Sequence, residues 1–205
     1  AISAEVLATG AKPVWVDEAE VSQEEEKNAC GNRIDVRRLK IGSYQVIVTP
    51  RDILPDEKML QLVPLCIVAG IGCKKGTSSD KIEHAVDAFA KAGLRMEALC
   101  AVASIDLKKE EAGLLEFCET RKVPFETYTA EELQAVSGTF SASEFVTGVT
   151  GVDNVCERSA VKYASEHGMN QGERLLGRQA KHGELLLRKQ AYGGVTVALA
   201  YVCSE

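Results

Sequence analysis

The alternation of apolar runs with amphipathic stretches is the feature that most restricts the fold of this sequence. Continuous apolar runs of strand length occupy residues 65–69 and 99–103, and a shorter candidate strand occupies residues 125–128. Between them, residues 79–92 and 109–121 place apolar side chains at helical spacing. Strands that alternate with helices pair in parallel through right-handed crossovers. The pattern therefore predicts an α/β fold whose ligands bind beyond the carboxyl ends of the strands.

The helical stretches carry recognisable faces and boundaries. Gly93 ends the first stretch, whose predicted apolar face consists of Ile82, Ala85, Val86, Phe89 and Ala90. The second stretch presents Leu114, Leu115, Phe117 and Cys118. Thr129 and Glu132 form a Thr-x-x-Glu capping box, which predicts the start of another helix. Residues 153–167 are predicted as a helix, and the Gly, Ser and Thr-rich residues 138–151 as a loop.

The two ends of the chain have different patterns. Residues 185–189 and 195–202 are predicted strands joined through Gly193 and Gly194, a turn signal that indicates an antiparallel hairpin. The main fold is therefore predicted as a parallel or mixed sheet flanked by helices, with this C-terminal hairpin at its edge.

Residues 1–64 indicate a small N-terminal α/β segment. It has strands at residues 13–16 and 44–49 and an acidic exposed loop at residues 18–32. Prolines punctuate residues 50–64, so we predict two units, residues 1–64 and residues 65–205.

Charge and cysteine content exclude several classes of function. The 205 residues include 24 Lys and Arg against 30 Asp and Glu, a net charge of −6 that disfavours a nucleic-acid partner. No apolar stretch is long enough to cross a membrane. The 7 cysteines are an odd number scattered without Cys-x-x-Cys pairs, as expected for reduced thiols in a cytoplasmic protein. The 3 histidines lack metal-ligand spacing, so we expect no metal site.

The glycine-rich segment at residues 70–78 is the sharpest local signal. It lies between a predicted strand and a predicted helix, where glycines allow close approach of a ligand and helix amides attract carboxylates or phosphates. A P-loop would need Lys where Thr77 stands, and a dinucleotide fingerprint would need Gly at Lys75. Nucleotide binding stays open through Asp106, which lies just after the second strand, and glycines that only turn the chain remain an alternative.

Other candidates also have two interpretations each. Cys73 is either a nucleophile or a structural thiol. Asp106, with Ser104 beside it, either activates water or caps the next helix. Glu144 lies in a predicted loop, which favours solvent exposure unless the loop covers the site. The last hairpin could contribute to the ligand site beside the glycine-rich segment, although its glycine pair is an ordinary turn signal. The residues concerned are Lys189, Gly193, Gly194 and Thr196.

Four blocks of the sequence together resemble a known family. They are residues 68–78, residues 103–108, residues 143–146 with Gly151 and Val152, and residues 193–198. In this order they are similar to the C-terminal domain of the cobalamin biosynthesis protein CbiG and its shorter relative CobE. Residues 33–64 resemble the end of the family's central region, and the family's further N-terminal domain has no counterpart here.

The resemblance implies the activity of a cobalt-precorrin-5A hydrolase, which opens a δ-lactone and releases acetaldehyde to give cobalt-precorrin-5B. It also implies a corrinoid intermediate as ligand, contacts with other enzymes of the pathway, and cobalt only as part of the substrate rather than as a cofactor. Asp106 and Glu144 are the catalytic candidates for activating water. The proposed substrate-binding residues are Gly70, Gly72, Cys73, Lys74, Lys75, Gly76, Thr77, Ser78, Ser104, Ser143, Lys189, Gly193, Gly194 and Thr196.

Two alternatives to this activity remain at this point. The chain could be a CobE-like protein that binds a corrinoid intermediate without hydrolysing it, or a nucleotide-binding α/β enzyme of another reaction.

Overall fold

Two β-sheets organise the part of the chain that the structure, a computed structural model, describes: residues 20–27, 33–41, 43–54, 56–167 and 184–202. The first sheet has the order β1-β2-β3-β4. Its strands are β1 (Glu20–Lys27), β2 (Arg33–Ile41), β3 (Tyr44–Val48) and β4 (Met59–Leu62). The second sheet has the order β7-β6-β5-β9-β8. Its strands are β5 (Ile67–Cys73), β6 (Leu99–Ile105), β7 (Phe125–Tyr128), β8 (Leu185–Tyr192) and β9 (Val195–Tyr201).

The second sheet confirms the predicted fold class. β5, β6 and β7 pair in parallel, whereas β9 pairs antiparallel with both β5 and β8. Gly193 and Gly194 connect β8 to β9 with φ angles of 56° and 92°, values that glycine adopts at little cost and that a tight hairpin requires. The C-terminal hairpin is therefore present, and the turn interpretation of this glycine pair is confirmed.

Helices cover both faces of this sheet, because side chains of alternating residues along β5 and β6 point to opposite sides. The helices are α1 (Ser79–Ala85), α2 (Ala88–Lys91), α3 (Ala112–Arg121), α4 (Ala130–Gln134), α5 (Glu144–Thr150) and α6 (Val155–His167). One apolar core joins Ile67 and Ile71 to α1, α2 and α3, and a second joins Val68 and Ala103 to α4 and α6. None of the described helices is both long enough and apolar enough to span a bilayer.

The predicted helix over residues 79–92 is interrupted. Asp87 and Phe89 donate their amides three residues back, to His84 and Val86, which tightens the chain between α1 and α2. The tightening rotates α2 relative to α1, so Ala88 is buried and Ala90 is exposed, contrary to the predicted face. Phe89 remains buried as predicted.

Two predicted loops are wrong because tertiary contacts override local preference. Within residues 18–32, the acidic residues Glu20–Lys27 form the edge strand β1, which pairs along its whole length with β2. Charged residues are common on edge strands, where the backbone alone makes the pairing. Within residues 138–151, Glu144–Thr150 forms α5, which ends at Gly151 in the left-handed conformation. The hydroxyls of Thr147 and Thr150 donate to carbonyls one turn back within it.

Other boundaries agree closely with the sequence. The capping box of Thr129 and Glu132 is present at the start of α4, and residues 125–128 form β7 as predicted. The second predicted helix begins at Ala112, with Leu114 buried but Leu115 45% exposed. The strand predicted at residues 13–16 lies outside the described residues.

The two sheets are joined through residues 49–52 and 93–95. The amide of Asp52 donates to the carbonyl of Gly93 over 3.0 Å, and the amide of Arg95 donates to that of Pro50 over 2.8 Å. Ile34 on β2 is 1% exposed and belongs to the same apolar core as α1, α2 and α3. A unit boundary near residue 64 remains a prediction, and the core is continuous across it.

Candidate functional site

The candidate site lies at the carboxyl ends of β5 and β6, where the loop of residues 74–78 meets the hairpin between β8 and β9. The amide of Lys74 donates to the carbonyl of Gly194 over 3.2 Å. The aliphatic stem of Lys74 covers Gly194, since a Cβ on this glycine would lie 3.3 Å from the Cδ of the lysine. The antiparallel pairing of β9 with β5 therefore brings Gly194 beside the loop, and a contact of this hairpin with substrate stays a prediction.

Gly70 and Gly72 do not belong to the loop. Both lie within β5, and a Cβ on Gly70 would overlap the carbonyl oxygen of Cys156 on α6. A Cβ on Gly72 would lie 2.7 Å from the hydroxyl of Thr196, which donates to the Gly72 carbonyl over 3.2 Å. The predicted role of these glycines in ligand approach is therefore corrected: they allow α6 and β9 to pack closely against β5.

The glycine loop binds a carboxylate of its own chain, which the sequence pattern did not reveal. The amide of Gly76 donates to Oε1 of Glu111 over 2.6 Å, and Nζ of Lys108 lies 3.0 Å from Oε2. Glu111 is 9% exposed. The sequence signal is only a Lys-x-x-Glu pair, which is too common to identify the contact. One of the predicted anion-binding amides is thus occupied from within.

The ionisation of Glu111 depends on these contacts. Burial alone would raise the pKa of this carboxyl. The hydrogen bonds from Lys108 and from the Gly76 amide, together with the charges of Lys108 and Lys75, outweigh burial and hold the pKa below its ordinary value. Glu111 therefore stays ionised and keeps the lysine and the loop together at neutral pH.

The remaining loop residues divide between buried supports and exposed groups. Thr77 is buried, and its hydroxyl donates to the carbonyl of Lys74 over 2.7 Å. A Cβ on Gly113 of α3 would overlap the carbonyl oxygen of Thr77, so α3 packs directly on the loop. By contrast Lys74, Lys75 and Ser78 are exposed. These three residues offer the accessible cationic and hydroxyl groups of the loop.

Cys73 is unsuited to nucleophilic attack. Burial is the largest influence on its thiol and raises the pKa above the ordinary value of 9.0. Lys108 lowers the pKa and Glu111 raises it, so the thiol stays protonated at neutral pH. The structural interpretation of Cys73 is the one that its surroundings favour.

The end of β6 supplies one accessible acid and one buried hydroxyl. Ser104 is fully buried, and its hydroxyl donates to the carbonyl of Ile71 over 2.6 Å, which ties β6 to β5. Its predicted contact with substrate is therefore corrected to a structural role. Asp106 is half-buried and begins a short 3-10 helix, Asp106–Lys108. Asp106 is the acid of the first turn of that helix, and its place directly after β6 keeps it a candidate for acting on a ligand.

The remaining candidates come from the segment before α6 and from the hairpin. Ser143 is half-buried and directly precedes α5, and its carbonyl accepts the amide of Thr147 over 3.0 Å. Glu144 is the first residue of α5, but its side chain lies outside the described part of the structure. Lys189 is a half-buried residue of β8, whose amide donates to Glu157 over 2.8 Å.

A cavity of about 570 Å³ opens elsewhere, between residues 137–140 and β8. None of the predicted substrate-binding residues lines it. Its cationic residue, Arg188, already donates to the carbonyl of Thr139 over 3.1 Å, and Glu184 adds negative charge. An acidic ligand therefore finds better electrostatic complementarity at the exposed lysines after β5 than in this cavity.

The fold and site define a class: an α/β protein whose mixed sheet lies between helical layers and delivers a lysine-bearing glycine loop to the carboxyl ends of its parallel strands. Residues 67–200 match the family described as cobalamin synthesis G C-terminus. The chain belongs to this family, and the resemblance noted from its sequence is confirmed.

Named relatives agree with the family assignment. The chain is 36% identical over 124 residues to a cobalt-precorrin-5A hydrolase of Salmonella typhimurium, covering 59% of this chain and 35% of that protein. It is 28% identical over 163 residues to the enzyme of that name from Priestia megaterium, covering 77% of this chain and 39% of that protein. The chain thus spans little more than a third of the length of these hydrolases.

The shorter relative CobE is matched over most of its length. The protein CobE of a Sinorhizobium species is 31% identical over 136 residues, covering 65% of this chain and 79% of that protein. The crystal structure of CobE, a protein from the cobalamin (vitamin B12) biosynthetic pathway, superposes with a TM-score of 0.55 and 28% identity. That superposition covers 68% of this chain and 92% of CobE.

Proposed function

We propose that this chain acts in cobalamin biosynthesis as the corrinoid-binding, lactone-opening domain of a cobalt-precorrin-5A hydrolase. The observation that carries the proposal is the pair of exposed lysines, Lys74 and Lys75, on the loop after β5. They concentrate positive charge at this loop, although the net charge of the chain is −6. The family match and the hydrolase names of two relatives support this function.

The chemistry of the ligand suits the lysines. A corrinoid intermediate is a large ring fringed with acetate and propionate carboxylates, which ammonium groups bind by charge-assisted hydrogen bonds. The amides of Lys74 and Gly76 already donate to Gly194 and Glu111, so we assign the carboxylate contacts to the side chains of Lys74, Lys75 and Ser78. Cobalt enters this scheme inside the substrate ring, and the scheme assigns it no ligand from the protein.

The reaction requires an activated water and a stabilised oxyanion. A carboxylate takes a proton from water, which attacks the lactone carbonyl and forms a tetrahedral oxyanion. The oxyanion then collapses and breaks the acyl carbon–oxygen bond of the lactone, which leaves a carboxylic acid on the ring and an alkoxide on the two-carbon unit. The alkoxide becomes a carbonyl as the carbon–carbon bond to the macrocycle breaks. The electron pair of that bond passes into the conjugated ring, which takes back the proton held by the base, and acetaldehyde leaves. Asp106 is the first candidate for the base, since it is a half-buried acid directly after β6, in the first turn of the short 3-10 helix. Glu144, at the start of α5, is the second.

The experiment is an incubation of the purified chain with cobalt-precorrin-5A, with acetaldehyde and cobalt-precorrin-5B followed by mass spectrometry. Turnover by the chain that falls in Asp106→Asn or in Glu144→Gln would support the proposal and identify the base. Unchanged turnover in both variants would remove both residues from that role. Replacing Lys74 and Lys75 together with Met should raise KM by roughly tenfold, since each contact of an exposed charge contributes up to about 1 kcal/mol. Lys58→Met, which changes an exposed lysine in the turn just before β4, is the matched control.

A second function, binding of a corrinoid intermediate without hydrolysis, is favoured by one specific observation. The superposed part of this chain covers 92% of CobE but the aligned part only 35% of the Salmonella hydrolase. A shift of the corrinoid absorbance spectrum on mixing, without acetaldehyde, would assign the chain to this function. Tight binding of an adenine nucleotide would instead favour the nucleotide alternative.

The setting proposed for either function is the cytoplasm, with contacts to other enzymes of the pathway that supply or take up the intermediate. No nucleic-acid partner is proposed, because the excess of acidic residues repels a polyphosphate backbone.

A further inference from the structure

We propose that Glu157 is a positioning residue that holds Lys189 and the segment of residues 141–143 at the corrinoid site. This inference rests on the proposed function, because Lys189 and Ser143 are among the residues proposed to contact the substrate. No sequence motif identified Glu157 as a candidate.

Glu157 is a buried acid with a full set of hydrogen bonds. It is 0% exposed on α6, and its Oε2 accepts the amide of Ser141 over 2.8 Å. Its Oε1 accepts both the hydroxyl of Ser141 over 2.9 Å and the amide of Lys189 over 2.8 Å. An isolated buried carboxylate is costly, and the three hydrogen bonds that Glu157 accepts offset that cost. The carboxylate therefore connects two separate segments to one helix.

An irregularity of β8 presents Lys189 to this carboxylate. Leu187 pairs with Leu199 and Gln190 pairs with Val197, so three steps along β8 correspond to two steps along β9. The extra residue is a bulge, which turns backbone groups out of the ladder and redirects side chains. The Lys189 amide leaves the ladder there and donates to Glu157. The bulge and the buried acid thus set the position of Lys189 together.

Asn154, which directly precedes α6, helps Glu157 to hold the segment of residues 141–143. Oδ1 of Asn154 accepts the amide of Glu157 over 2.9 Å, while its Nδ2 donates to the carbonyl of Ser141 over 2.8 Å. Ser141 is therefore held through its amide, hydroxyl and carbonyl by two neighbouring residues at the start of α6. Ser143 lies two residues further on and leads directly into α5, whose first residue is the candidate base Glu144.

The test compares Glu157→Gln with wild type. The glutamine places an NH2 donor where a carboxylate oxygen now accepts, so at least one donor of Ser141 or Lys189 loses its partner. We expect faster hydrogen exchange at the amides of residues 141 and 189 in the ligand-free protein, with β5 and β6 remaining protected. The Kd for cobalt-precorrin-5A, followed by its absorbance, should rise roughly tenfold. Glu116→Gln, an exposed acid of α3, is the control.

A double-mutant cycle separates positioning from simple structural support. Lys189→Met should weaken corrinoid binding roughly tenfold in wild type and less than about twofold in Glu157→Gln, because a lysine that is no longer held in place contributes little. Equal losses in the two backgrounds would overturn the proposal, as would wild-type exchange at residues 141 and 189. If Glu157→Gln does not fold, Ser141→Ala replaces it. This variant removes the hydroxyl of residue 141 but keeps the hydrogen bonds that the amides of residues 141 and 189 donate to Glu157. An unchanged Kd in Ser141→Ala would overturn the proposal.

The two proposals fail separately. If wild type neither binds nor converts cobalt-precorrin-5A, the proposed function is wrong, whereas the exchange rates at residues 141 and 189 still report whether Glu157 fixes these segments.

Discussion

Single side chains at the carboxyl ends of β5 and β6 divide into those that hold the loop in place and those that face solvent. Glu111 and Thr77 are buried and satisfy backbone groups of the loop. Lys74 and Lys75 are exposed, and the charge of Lys75 also helps to lower the pKa of Glu111. Support rests mainly on Glu111 and Thr77, whereas recognition is proposed for the lysines, so substitutions should largely separate stability from binding.

Glu111→Ala should destabilise the protein and loosen the loop. The substitution leaves the Gly76 amide without its acceptor and Lys108 without its counter-ion, at a cost of about 2 kcal/mol. Urea unfolding measures this cost. The exposed Glu110→Ala is the control and should change the free energy of unfolding by less than about 0.5 kcal/mol. Equal stabilities of the two variants would contradict the contact.

The contribution of Glu111 should also depend on pH. Its pKa in the folded protein lies below the unfolded value of about 4.5, so its stabilisation is complete above that value and is lost as the pH falls through the folded pKa. Glu111→Gln mimics the protonated acid. The difference in unfolding free energy between wild type and this variant should therefore be largest at neutral pH and shrink below pH 4.5; a constant difference would refute the assignment.

Cys73→Ala should leave the proposed hydrolysis of cobalt-precorrin-5A nearly intact. The thiol is partly buried with a raised pKa, so little thiolate exists at neutral pH. We expect kcat within about twofold of wild type in the acetaldehyde assay. A loss of more than about a hundredfold would show covalent catalysis by this residue.

Packing between β5 and α6 is the decisive contact at the scale of elements. α6 approaches so closely that the carbonyl oxygen of Cys156 occupies the place of a side chain at Gly70. On the other face, α3 approaches the loop in the same way through Gly113. Close helix packing on both sides fixes the end of β5 and hence the loop at residues 74–78.

Gly70→Ala should destabilise the protein by at least about 2 kcal/mol, because helix or strand must move to admit the methyl group. Gly148→Ala is the matched control. Gly148 lies inside α5 with an ordinary φ and with open space where the alanine methyl group would stand, so alanine there should add about 0.5–1 kcal/mol of stability. Thermal unfolding of both variants measures the difference, and opposite signs are the expected result.

At the scale of the whole molecule, the two sheets share an apolar core. Ile34 of the first sheet is buried among residues packed on the second, and backbone hydrogen bonds link residues 50–52 with residues 93–95. Continuous packing of this kind makes unfolding cooperative.

Ile34→Ala should therefore lower the stability of both sheets together, by about 2–4 kcal/mol. Fluorescence and circular dichroism during urea unfolding should give one coincident transition. Two separate transitions, with only the first sheet destabilised, would instead support independent units divided near residue 64.

Prediction from sequence succeeded where the information is local or periodic. The apolar runs predicted β5 and β6, residues 125–128 were predicted as the short strand β7, and the glycine pair at residues 193–194 predicted the hairpin. It failed where the composition of a segment does not indicate its structure: β1 is acidic and polar, yet its backbone pairs with the next strand, β2. The pattern Asn154-x-x-Glu157 did carry a helix-start signal, but nothing local showed that Glu157 would bind Ser141 and Lys189.

The sequence by itself determined the α/β class, the family and the location of the glycine-rich loop with its two lysines, because periodicity, turn chemistry and motif order are written along the chain. Only the tertiary structure decided which groups of that loop face solvent. Gly70 is used to admit α6, the Gly76 amide is bound by Glu111, and Ser104 is buried, whereas Lys74 and Lys75 remain accessible. The physical reason is that hydrogen-bond partners and close approaches join residues distant in sequence, so their occupancy is fixed only when the sheet and its helices pack.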